Sequence, residues 1–188
     1  MSHRPGRRVR AREAWRRIPL PAVVVLALLL AAGPLELALS RGHSRATRPG
    51  NTLGDVARKA GCRLREYEDD QVTNPPVSGR IVERAFAADG SHIGRDTPSI
   101  DATTHALLHG RVLIQYKPGL PAPEVRALDR LVTDDPDRVV GFANQTRMTT
   151  PVAATAYLSL LTCPGVTAGT LHALRVFRDR RRGFGNAF

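Results

Sequence analysis

Eighteen consecutive uncharged residues, Ile18 to Leu35, constrain this chain more than anything else in it. Val23, Val24, Val25, Leu26, Leu28, Leu29 and Leu30 fill the centre of the run. Nothing polar interrupts it to face water, so it does not read as the half-buried helix of a globular core. As a helix it spans about 27 Å, and about 33 Å when extended through Glu36 to Leu39, enough to cross the hydrocarbon of a bilayer. Glu36 then falls near the outer interface, where a carboxylate costs far less than at the bilayer centre.

Seven arginines against the single acid Glu13 precede this run within residues 1–17, whereas Arg41, Arg45 and Arg48 follow it closely. By the positive-inside rule the N-terminus stays in the cytoplasm and the rest of the chain is outside. The expected organisation is a basic cytoplasmic segment at 1–17 and a transmembrane signal anchor at 18–39, touching membrane lipid. A flexible tether rich in Gly, Ser, Thr and Pro follows at 40–54, then an extracytoplasmic domain at 55–188. The chain is then a single-pass protein of the cell membrane. A cleaved signal peptide is the open alternative, because Ala38-Leu39-Ser40 loosely fits a small-x-small cleavage site. About half of the formal excess of +11 sits in residues 1–17 and is topological. The closing segment, with Arg175, Arg178, Arg180, Arg181 and Arg182, reads as a basic helix end. It suits anionic lipid or a cell-envelope polymer better than nucleic acid, since Phe177 is the single aromatic residue among these basic ones.

From Asp55 about 134 residues remain, enough for one core. Two successive prolines make Asn74-Pro75-Pro76-Val77-Ser78-Gly79 a rigid loop. A short helix is expected from Asp101 to His109, closed by Gly110 as a left-handed cap. Arg111 to Lys117 is the best strand, with Val112, Ile114 and Tyr116 on one face and Leu113 and Gln115 on the other. Ala122 to Thr133 carries Val125, Leu128, Leu131 and Val132 at helical spacing. Arg138 to Ala143 is a second strand, Pro151 to Leu161 is ambiguous between strand and helix, and Thr167 caps a last helix striped by Leu171, Leu174 and Phe177. The order predicts an α+β fold, a small mixed sheet with packed helices, preceded by the transmembrane helix.

Taken together, Asn74 to Gly79, His105-Ala106-Leu107-Leu108-His109-Gly110 and Val112-Leu113-Ile114-Gln115-Tyr116-Lys117-Pro118 resemble the family catalogued as domain of unknown function 3105. The resemblance covers roughly Gly61 to Arg182 and includes Gly61-Cys62, the helix through Leu128 and Leu131, and the apolar stretch before Cys163. It implies a bacterial protein carried on one N-terminal transmembrane helix, and brings no established activity. The family pattern reads Pro-Pro-Thr-Ser-Gly-Pro-His and His-Ser-Leu-Glu-His-Gly. Here Val77, Arg80 and Ile81 replace Thr, Pro and His in the first motif, and Ala106 and Leu108 replace Ser and Glu in the second.

His105 and His109 are four apart, so on a helix both imidazoles face one way and could chelate a divalent metal ion. Two ligands leave a site incomplete. His92 is the nearest candidate third in sequence, with Asp89, Asp96 and Asp101 offering carboxylates. The bland alternative puts one histidine at the helix end and packs the other against the strand. The cysteines, Cys62 and Cys163, are expected to pair outside the cytoplasm, two buried free thiols or one reactive thiol being the alternatives. The loop at Pro75, Pro76, Ser78 and Gly79 could be a plain turn or line a pocket beside His105. Walker, esterase-elbow and zinc-protease motifs do not occur. The function expected is a binding or interaction module with an envelope or protein partner, the alternative being a metal-binding or metal-dependent enzyme using His105 and His109.

Overall fold

A six-stranded mixed sheet organises the residues that the computed structural model describes, 52–81 and 85–185. The expected anchor at 18–39, the basic segment and the tether through residue 51 lie outside the described residues. Among those described, no helix is long and apolar enough to cross a membrane.

Helix α1 (Leu53–Lys59) opens the described chain, two residues inside the segment assigned to the tether. Thr52 explains the start: its hydroxyl accepts from the Asp55 amide while the Asp55 carboxylate takes the Thr52 amide, a reciprocal capping box. Strands β1 (Arg63–Glu66) and β2 (Gly90–Ser91) follow, and then helix α2 (Ile100–Leu108), which the Ser99 hydroxyl caps. Gly110 follows at φ 73°, the left-handed turn that a side chain would strain.

Strand β3 (Val112–Tyr116), helix α3 (Ala122–Thr133) and strand β4 (Val139–Ala143) form a crossover unit with the two strands paired in parallel. Strand β5 (Val152–Ala156) runs antiparallel to β3 and turns through Tyr157 and Leu158 into β6 (Ser159–Cys163). Helix α4 (Ala168–Arg181) closes the chain behind the expected Thr167 cap. The strand order is β1-β6-β5-β3-β4-β2, with β1 antiparallel to β6 and β2 parallel to β4. The mixed α+β architecture agrees with the sequence expectation, with a sheet larger than expected.

Both faces of the sheet are covered, which is why β3, β4 and β5 are buried almost throughout. On one face Val112, Ile114, Val139, Val152, Ala154 and Leu161 meet Val56 of α1, Leu128, Leu131 and Val132 of α3, and Leu174 and Phe177 of α4. On the other, Leu113, Val140 and Phe142 pack on Ala106 and Leu107 of α2, and Val77 joins Met148, Ala153 and Leu160. Cys62 and Cys163 form a disulfide across 101 positions of sequence, fixing the start of β1 to the end of β6.

Candidate functional site

The i to i+4 spacing on α2 brings His105 and His109 together. Their Nε2 atoms lie 3.1 Å apart, with His105 buried and His109 half-buried at the helix end. At that separation one Nε2–H can donate to the other ring's lone pair, which requires one tautomer of each kind. Phe86 contacts both rings, tilted against His109 at 4.7 Å and edge-on to His105 at 5.8 Å between centroids. The Arg111 guanidinium lies over the Phe86 ring, 4.0 Å from its centroid. Burial, then the neighbouring His105 and Arg111 charges, holds His109 below the usual histidine range. His109 therefore favours the neutral state, the one able to donate a lone pair to an electrophile.

The other candidate ligands do not gather there. His92 follows edge strand β2, its amide on Gly141 O and its Nε2 3.0 Å from the Ala88 carbonyl. Asp89 accepts from Arg111 Nε at 3.0 Å and from the Arg138 amide at 3.1 Å. Asp96 and Asp101 are exposed. Among the described residues no group of three ligand-type side chains converges on one point. Ala106 and Leu108, which depart from the family pattern, are both core residues.

The proline loop packs on α2. A Cβ on Gly79 would sit 2.4 Å from Thr104 Cβ, so loop and helix touch backbone to side chain. Pro76 shares with Thr103, Thr104 and Gln115 a crevice of about 10 Å³, room for one water. Pro75 and Val77 are buried, and Ser78 is half-buried. Beneath the loop runs a polar chain that the sequence did not single out. Gln115 Nε2 donates to Thr155 Oγ1 at 3.2 Å, Asn144 Nδ2 to Gln115 Oε1 at 2.8 Å, and Asn74 Nδ2 to the Thr146 carbonyl at 2.9 Å. Gln115 in mid-strand was the available signal, because a polar side chain inside a sheet covered on both faces has to find partners.

Two open grooves of about 420 and 410 Å³ adjoin at Thr149 on this same side of the molecule. Arg63, Arg65, Thr150 and Thr162 line the first, and Lys117 and Arg147 the second. The arginines at the end of α4 are differently placed. Arg178 pairs with Asp135 and Asp179, Arg181 with Glu66, and Arg182 with Asp135 and Asp179. The basic helix end is thus largely neutralised in the fold.

A family model described as "Protein of unknown function (DUF3105)" matches residues 66–177. No curated protein and no solved structure matches the chain.

Proposed function

The chain belongs to the DUF3105 family of proteins of unknown function, and on that footing we propose that it is a single-pass, membrane-anchored binding module facing the outside of the cell. The disulfide between Cys62 and Cys163 carries this reading. A bond of this kind persists in oxidising compartments and is rare in the cytosol. The apolar run at 18–39 with its preceding arginines supports the anchor and its direction. The two open grooves support binding to an envelope component. Alkaline phosphatase fused after residue 45 tests the topology: high phosphatase activity, with no fluorescence from the matching green fluorescent protein fusion, is expected. The inverse pattern overturns the reading.

A second reading, binding of a divalent cation, is favoured by the 3.1 Å between the two Nε2 atoms. Two imidazoles sharing one zinc ion at tetrahedral angles lie about 3.3 Å apart, so little movement is needed. Further ligands would come from water or a partner. Elemental analysis and calorimetric titration of the wild type against His105→Ala plus His109→Ala test it. Metal uptake unaffected by the double substitution sinks it.

A further inference from the structure

We propose that the adjoining grooves bind a linear polyanion whose charges are phosphates, an inference that names a ligand class for the binding module above. Arg63 and Arg65 are two apart on edge strand β1, so their side chains leave the same face about 7 Å from each other. Lys117 and Arg147 continue the positive lining past Thr149. None of these four cations makes an ion pair with a described residue, and none of the described residues lining either groove is acidic. The fold neutralises Arg178, Arg181 and Arg182 with carboxylates, yet among the described residues no carboxylate pairs with the four cations around these two concave surfaces.

Those cations suit phosphate for a geometric reason. The guanidinium fork matches two oxygens of a phosphate, and the hydroxyls of Thr149, Thr150 and Thr162 supply further donors along the first groove. A single small anion would occupy one arginine, whereas two grooves in sequence accommodate a chain of phosphates. Among the described residues no aromatic side chain lines either groove, so the bases of a nucleic acid would find nothing there to stack on. A flexible phosphate polymer without bases fits better.

The test is calorimetric titration of the full chain in mild detergent with medium-chain inorganic polyphosphate. Orthophosphate and a single-stranded oligonucleotide of equal charge serve as comparators. Saturable binding is expected, weakening with added salt and reduced about tenfold or more by Arg63→Ala with Arg65→Ala. Arg126→Ala with Arg175→Ala, which removes the same charge from exposed helix positions, is expected to change affinity by less than about twofold. If the first pair fails to fold by circular dichroism, Lys117→Ala with Arg147→Ala reads the second groove and is expected to weaken binding about fivefold. Absence of saturable binding, equal losses in the groove and control variants, or tighter binding of the oligonucleotide would overturn the proposal. Such a failure leaves the membrane-anchored reading standing, because the reporter fusions test that separately.

Discussion

Asn144 donates from Nδ2 to Oε1 of Gln115 at 2.8 Å, joining the loop after β4 to the middle of β3 where both side chains are buried. The same Asn144 accepts on Oδ1 from the amides of Thr146 and Met148. One carboxamide therefore sets the path of residues 144–148 and, through Thr146, holds Asn74 of the proline loop.

Asn144→Leu keeps the branched shape and the number of side-chain heavy atoms and removes every one of these hydrogen bonds. The Met148 amide and the Gln115 carboxamide oxygen are then left buried without these hydrogen bonds, and the Thr146 amide part-buried, each fully buried group costing about 1–3 kcal/mol. A loss of roughly 3 kcal/mol is expected in urea unfolding, while Gln145→Ala next to it, exposed, changes stability little. Equal effects from the two would show that the network contributes nothing specific.

Reduction of the disulfide should act mainly on the unfolded chain. A bridge closing about a hundred residues is worth roughly 4–5 kcal/mol in the chain-entropy model. Cys62→Ser with Cys163→Ser is expected to lower the urea midpoint accordingly, and reductant should reproduce the shift in the wild type with no further effect on the variant. Labelling native material with a thiol reagent should find no reactive cysteine before reduction.

Acidification should cost stability through His109. Its folded-state value lies below the unfolded one, with burial the largest cause. Between the two values the unfolded state binds more protons, so stability rises with pH. Taking pH down through about 6.5, the ordinary histidine value, should begin the loss, and it should level off below the depressed folded value. His109→Gln is expected to flatten that part of the pH profile. A profile unchanged by the substitution would mean that His109 carries none of the dependence.

The helices that were legible in the sequence share one property, a single buried stripe. Helix α3 runs over the expected Ala122 to Thr133, and Thr167 caps α4, because each helix shows its apolar residues to one face of the sheet. Val112 and Ile114 separate from Leu113 and Gln115 as the alternation implied. The segment 151–161 resisted assignment for the opposite reason. Val152 to Ala156 is buried on both sides and shows no alternation, and its hairpin turn carries Leu158 at φ 56° instead of a glycine. Strand β1 was invisible because Arg63, Arg65 and Glu66 are exposed, and it is a strand only through its pairing with β6. The histidine pair followed from spacing alone. The grooves did not, since Arg63 and Lys117 are 54 positions apart in sequence and meet a common side of the fold only through long-range pairing.

That pairing also sets a timetable. Arg63 stands opposite Thr162, so the first strand made is the one whose partner is made almost last. A ribosome emitting this chain releases β1 with nothing to hydrogen-bond to, and the crossover from β3 to β4 can assemble while β1 is still waiting. The sheet's edge and the cysteine bond can close only after Cys163 has emerged, so the earliest strand is locked in place by one of the latest.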